Sequence, residues 1–143
     1  MNSTMDDAEK AMKTIVGELL GAISRLDAEG LRPWLAPDVV MEFPYAVPGL
    51  QPRYSGVDRI VEAMSVIPRM YSSFDWTVTE SFASPATGAL IICARSDAKL
   101  VGGVPYRNDY VVLFRFRGDK VVLWREYFNS MKLPSLAGSP SQA

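Results

Sequence analysis

The stretch Tyr106-Arg107-Asn108-Asp109-Tyr110-Val111-Val112-Leu113-Phe114-Arg115-Phe116-Arg117 decides how the chain is read. Side chains of a strand point alternately to its two faces. One face here carries Tyr106, Asn108, Tyr110, Val112, Phe114 and Phe116. The other carries Arg107, Asp109, Val111, Leu113, Arg115 and Arg117. Gly118-Asp119 follows as a tight hairpin signal, and 121–129 reads as the next strand. Upstream, 74–83 and 89–99 alternate in the same way, with Ser84–Gly88 as the turn between them. Gly102-Gly103 is a further turn, or a bulge near the start of its strand.

The first half of the chain has a different period. Met12, Ile15, Val16, Leu19, Leu20, Ile23 and Leu26 fall on one stripe at steps of three and four, which predicts an amphipathic helix over 8–27. Asp6 and Glu9 resemble a capping box, and Gly30 is the predicted stop. Leu31–Ala36 reads as a short helical turn. A second helix is predicted over 56–67, with Ser55 as N-cap, Val57, Ile60, Val61, Met64 and Ile67 as its apolar face, and Pro68 as its end. Between the helices lie a short strand, Val39–Phe43, and a proline-rich loop, Pro44–Pro52. Residues 1–7 and 134–143 read as flexible termini of one domain spanning 1–143. Helices first and a long antiparallel meander second make an α+β layout. The outer sheet face carries Val111 and Leu113, so it either packs further, pairs with a second copy as a homodimer, or holds isolated exposed residues.

Composition narrows the chemistry. Lys and Arg total 15 against 16 Asp and Glu, so there is no basic excess to neutralise phosphates, and nucleic acid is not an expected partner. Histidine is absent, which removes Ser-His-Asp and Cys-His sites and any His-ligated metal. An acid or base working near neutral pH must then be a shifted carboxyl, Lys, Tyr or Cys. Cys93, the single cysteine, reads as a small core residue between apolar neighbours. No segment reaches the roughly 18 apolar residues of a membrane span, and the N-terminus is polar and acidic. The expectation is a cytoplasmic protein without metal or cofactor.

Several short stretches carry a resemblance: Leu35-Ala36-Pro37-Asp38-Val39, Phe43-Pro44 with Gly49, Arg53-Tyr54-Ser55-Gly56, Tyr106-Arg107-Asn108-Asp109-Tyr110, and Trp124-Arg125-Glu126-Tyr127-Phe128-Asn129. With the order of elements, they resemble the SnoaL-like branch of the NTF2-like superfamily over about residues 10–132. The resemblance implies a cone-shaped roll: a curved antiparallel sheet, helices packed over its concave face, a deep pocket, and homodimerisation through the sheet. The superfamily includes isomerases, polyketide cyclases, dehydratases, epoxide hydrolases and non-catalytic modules, so the site must be argued separately.

Glu126 alternates with Val122, Trp124 and Phe128, which points it inward. A buried carboxylate protonates or finds a cation. Arg95 and Asp97 share a face of the strand 89–99, and Arg95 is placed to bridge Asp97 and Glu126. Two carboxyls around one guanidinium titrate as a coupled set, giving one proton donor and one acceptor without histidine. The same pattern also fits a buried salt bridge without chemistry, or an exposed Asp97 at a strand end. These positions resemble those of limonene-type epoxide hydrolases, whose Arg-x-Asp pair matches Arg95-Ser96-Asp97 and whose Trp-Arg-Asp-Tyr-Phe segment matches Trp124–Phe128. That likeness implies Glu126 as base, Asp97 as acid and Arg95 as bridge. That family holds its water with a Tyr and an Asn on the first strand, where this chain has Met41 and Phe43. The difference favours cyclisation or isomerisation over hydrolysis.

Ketosteroid isomerases are a further comparison, but their two key carboxyls align with Phe43, beside Glu42, and near Val112. The phenazine-pathway condensing proteins of the same branch use a Glu matching Glu126 together with a His that this chain lacks. Asn108 and Tyr110 are candidates to hydrogen-bond a substrate oxygen, or else form a satisfied core pair. Trp34, Met41, Phe43, Trp76 and Phe128 are the principal candidate wall residues, with Leu19, Ile23, Tyr45 and Met64 beside them. The sequence therefore predicts cofactor-free acid/base isomerisation, cyclisation or epoxide opening of an apolar, oxygenated polyketide-, terpenoid- or steroid-like metabolite. The alternative is a binding or dimerising accessory module with the same fold.

Overall fold

The computed structural model describes residues 3–133. The expected tail at 134–143 lies outside them. Helix α1 spans Ser3–Ser24, so the stretch expected to be flexible is helical from Ser3, and Asp6 lies in the first turn. Met12, Ile15, Val16, Leu19, Leu20 and Ile23 are all buried, as the stripe requires. The helix ends well before Gly30. Leu26 takes φ 58°, the left-handed conformation usually left to glycine, while Leu26 N–H donates to Ile23 O (2.8 Å) and Asp27 N–H to Ala22 O (2.9 Å). Those two bonds form a Schellman closure and offset the strain at Leu26. A short 3₁₀ segment, Glu29–Trp34, follows where the helical turn was predicted.

Six strands form one sheet: β1 Leu35–Glu42, β2 Arg53–Ser55, β3 Tyr71–Ser84, β4 Ala89–Leu100, β5 Pro105–Arg117 and β6 Lys120–Phe128. Their spatial order is β2-β1-β6-β5-β4-β3. The sheet is curved and mixed rather than wholly antiparallel, because β1 runs parallel to β6. The chain enters β1 from α1 and leaves through β2 and two helices before the meander begins, which fixes that direction. β2, absent from the sequence reading, pairs Tyr54 with Met41 and Ser55 with Val40. Ser55 is thereby held in the sheet and cannot cap the next helix. Gly56, at φ 91°, makes the turn into α2 Val57–Met64 instead. Pro68 does not end that helix. It sits in the first turn of α3 Ile67–Met70, where a missing N–H costs nothing.

Alternation in β5 is as predicted: Tyr106, Asn108, Tyr110, Val112 and Phe114 are buried. In β4 the inward row is Leu90, Ile92, Ala94, Ser96 and Ala98. Cys93 is therefore a half-buried residue of the outer face, not of the core. The small residues of β4 pair with large ones on both sides: Ala98 with Tyr106 and Phe74, Ser96 with Trp76. The small side chains leave room for the rings of β3 and β5 to meet across β4: Trp76 and Tyr110 lie 4.6 Å apart and Tyr71 and Tyr106 5.9 Å, centroid to centroid. A register shift after Arg115 lets the partner strand change parity, so Val121 rather than Val122 is buried beside Trp124.

Candidate functional site

The inward faces of β1, β3, β5 and β6, with α2 and α3 across them, leave a cavity of about 150 Å³. Its walls are apolar: Met41 from β1 and Phe43 just after it, Phe74 and Trp76 from β3, Phe128 from β6. Met64, Ile67 and Met70 close it from the helical side, and Leu50 and Leu133 complete the rim. Glu126 is the one charged residue among the described lining residues.

The sequence places Glu126 there by strand parity, two residues beyond fully buried Trp124. Trp124 Nε1–H donates to Glu126 Oε1 at 3.2 Å. No cation is within ion-pair distance of it among the described residues. Burial pushes its carboxyl up from 4.5 to about 7, while the indole hydrogen bond pulls the other way. Three tyrosines line the same space: Tyr71, Tyr106 and Tyr110. Burial raises each hydroxyl above its ordinary value, and the nearby Glu126 charge adds to this in all three. They therefore stay protonated at neutral pH, as hydrogen-bond groups rather than bases.

The expected trio is not formed. Arg95 and Asp97 lie on the outer face, where both are exposed. Arg95 Nε is 3.3 Å from Asp109 Oδ1, and Arg107 Nε is 3.3 Å from Asp97 Oδ1. The reason is parity: Ser96 faces the interior, so its two neighbours cannot. No guanidinium bridges Asp97 to Glu126, and the two carboxyls lie on opposite faces of the sheet.

Asn108 is buried, but as part of the scaffold. Its Oδ1 accepts the backbone N–H groups of Asp109 and Asn129, at 2.9 and 3.2 Å. Its Nδ2 donates to Tyr106 Oη and Asn129 O, at 2.7 and 2.9 Å. Tyr110, Met41, Phe43, Trp76 and Phe128 line the cavity as expected, and Ile23 and Met64 do too. Trp34 does not. It closes the 3₁₀ segment before β1 and packs half-buried against the core. Leu19 is fully buried core, and Tyr45 is exposed. Tyr71 and Tyr106 were missed as wall residues. Tyr106 was legible, since it shares Tyr110's face. Tyr71 was not, because the predicted strand began at 74.

Residues 16–124 match the profile of the SnoaL-like domain. The chain belongs to this family. The protein YesE of Bacillus subtilis, itself uncharacterised, is 24% identical over 94% of this chain and 91% of its own length. An uncharacterised PhzA/B-like protein of Pseudomonas aeruginosa, PA3332, is 27% identical over 92% of the chain and 94% of its own. Among solved structures, a Bacillus subtilis protein provisionally described as an isomerase superposes with TM-score 0.81 at 23% identity, covering 92% of this chain and 96% of that one. An LEH-like epoxide hydrolase of Mycobacterium tuberculosis gives TM-score 0.66 at 18% identity, covering 83% of each chain. At these identities the likeness establishes the NTF2-like fold. No helix among the described residues is long and apolar enough to cross a membrane.

Proposed function

We propose that this protein is an acid/base enzyme that isomerises or cyclises a small, apolar, oxygenated metabolite, using Glu126 and no cofactor. The observation that carries this reading is Glu126 itself: a lone carboxyl in an apolar cavity, with its pKa moved to about 7. A carboxyl poised there exchanges a proton in either direction at neutral pH. The apolar walls around it also strengthen each electrostatic contact it makes with a guest.

Two features separate the possible reactions. Met41 and Phe43 both line the cavity, so neither of these two positions offers a polar group to hold a hydrolytic water. Opening an epoxide with water is thus less well supported than moving a proton within the substrate, although a protein described as an epoxide hydrolase shares the fold. The cavity volume of about 150 Å³ matches a space that admits a single benzene ring. That favours a one-ring or equally small terpenoid- or polyketide-like substrate over a four-ring steroid.

The test is turnover of a panel of single-ring ketones, enones and epoxides in D₂O, followed by deuterium incorporation and product formation. Glu126→Gln keeps the shape and the Trp124 hydrogen bond but cannot take a proton. It lowers the rate by about 100-fold or more, the scale of one general base. Equal rates in the two proteins refute the reading.

A second reading, a non-catalytic accessory module that works as a homodimer, draws on the outer sheet face. Ile91, Val111 and Phe82 are exposed there beside the Arg95–Asp109 and Arg107–Asp97 pairs. Such a face suits a second copy related by a two-fold axis, each charged pair meeting its opposite. A dimeric mass in solution with no turnover of any panel member favours that reading.

A further inference from the structure

We infer that Tyr106 and Tyr110 form a hydrogen-bond-donor seat, set by Asn108 and Ser96, for the acceptor oxygen of a neutral carbonyl compound. The argument is a count of protons. Asn108 Oδ1 accepts two backbone N–H groups, and this fixes which way its amide points. Its Nδ2 must therefore donate to Tyr106 Oη, at 2.7 Å. With its oxygen so engaged, Tyr106 has to send its own proton elsewhere. The neighbouring hydroxyl, Tyr110 Oη, lies at 3.4 Å, the outer limit of a hydrogen bond. Tyr110 Oη in turn meets Ser96 Oγ at 2.9 Å.

Three hydroxyl groups thus bring three protons to two mutual contacts. At least one proton finds no acceptor among the described residues. Ser96 is buried and does not line the cavity, whereas both tyrosines do. The arrangement that strands the fewest buried groups has Ser96 donating to Tyr110, with the unclaimed proton at the cavity wall, open to a guest. Trp76 packs against this pair, with its ring centroid 4.6 Å from that of Tyr110. One hydroxyl proton at the cavity wall therefore has no acceptor within the Ser96–Tyr110–Tyr106 chain.

This selects among guests. A hydrocarbon leaves the donors unmatched. A carboxylate sets a second negative charge beside Glu126, with no Lys or Arg in the described lining to offset it. A ketone, enone or aldehyde oxygen accepts two hydrogen bonds and brings neither charge nor a donor of its own. The inference deepens the reading of this cavity as an acid/base site, because it names the substrate class. Its test is binding alone and needs no turnover.

Cyclohexanone and methylenecyclohexane are the probes, alike in shape but with C=O in one and C=CH₂ in the other. Binding is read from tryptophan fluorescence, since Trp76 is in the wall, and the bound ketone from its infrared C=O stretch. In the wild-type protein the stretch lies below its value in hexane. In the Tyr106→Phe/Tyr110→Phe variant it returns to the hexane value. There the ketone binds about tenfold or more weaker, while the alkene stays within about twofold and so reports that the variant is folded. Glu126→Gln keeps the ketone stretch shifted, which separates this inference from the assignment of Glu126. A wild-type stretch at the hexane value overturns the inference, even if the double variant does not fold. So does absence of ketone binding, or equal weakening of both probes.

Discussion

Glu126 should make this protein less stable as the pH rises from 4.5 to 7, in a way one substitution removes. In the unfolded chain the carboxyl ionises near 4.5, and in the folded protein it holds its proton to about 7. Between those values the native state binds one more proton than the unfolded state. The slope of unfolding free energy against pH is therefore negative for this group. Its contribution is fully present below 4.5, falls across the window, and is flat above about 7. At about 1.4 kcal/mol per pH unit, the gap from 4.5 to about 7 amounts to at most about 3 kcal/mol. For a chain of 143 residues that corresponds to roughly 6–12 °C in melting temperature.

The wild-type curve sums every ionisable group of the chain, so alone it does not isolate the effect. The difference between wild type and Glu126→Gln does. Gln has no ionisation to suppress, and its Oε1 still accepts from Trp124 Nε1. Chemical denaturation of both proteins at half-unit steps from pH 4.5 to 8 gives the curve. The Gln variant gains on the wild type as pH rises, by at most about 3 kcal/mol, and the gain stops near 7. A difference that stays constant over that range refutes the claim that Glu126 is held protonated by burial.

Two further outcomes follow from the same geometry. Trp124→Phe removes the N–H that holds the Glu126 pKa down, so the midpoint of the pH–rate profile moves above about 7, with a stability loss of about 1–3 kcal/mol from the smaller ring; an unmoved midpoint shows that the hydrogen bond does not tune the acid. Arg95→Ala and Asp97→Ala, each removing half of an exposed pair, change stability by less than about 1 kcal/mol and leave turnover unchanged; a large loss of rate in either restores the rejected trio.

How much of this was legible in the sequence depends on what each residue's neighbours could disclose. The residues of β5 alternate cleanly, because Arg107, Asp109, Arg115 and Arg117 mark the wet face and aromatics mark the dry one. Its two-residue link to β6 at Gly118-Asp119 was equally plain, since Arg117 pairs with Lys120 across it. Inward placement of Glu126 followed from the same rule. β4 defeated that rule. Ile91 and Cys93 on one face and Leu90 and Ile92 on the other are alike in hydrophobicity, so alternation cannot say which face is core. The informative residues were Ala94, Ser96 and Ala98. Small side chains are what a strand needs between Phe74, Trp76 and the β5 tyrosines, but that need is visible only once the strands are paired. Leu26 is a different kind of miss. Its left-handed backbone is set by two hydrogen bonds of the chain around it, and nothing in a leucine announces it.

The placement of charges in the fold supports the proposed use of Glu126. Arg125 is adjacent to Glu126 in sequence, yet strand parity turns it to the opposite face, where its Nε meets Glu42 Oε1 at 2.7 Å. Arg95, Arg107 and Arg117 are likewise spent on outer pairs with Asp109, Asp97 and Asp38. Among the described residues the sheet thus gathers these cations on its convex side and leaves the one carboxyl that lines its concave cavity unpaired. A stability-driven sequence would place a Gln or Leu at 126, since removing an unpaired buried charge costs little and relieves the penalty worked out above. Retaining a group that lowers stability at neutral pH makes sense where its proton is needed, as strained or destabilised features persist at working sites. The stability difference between wild type and Glu126→Gln and their difference in rate should therefore run in opposite directions: the variant that folds better above pH 7 is the one that turns over less.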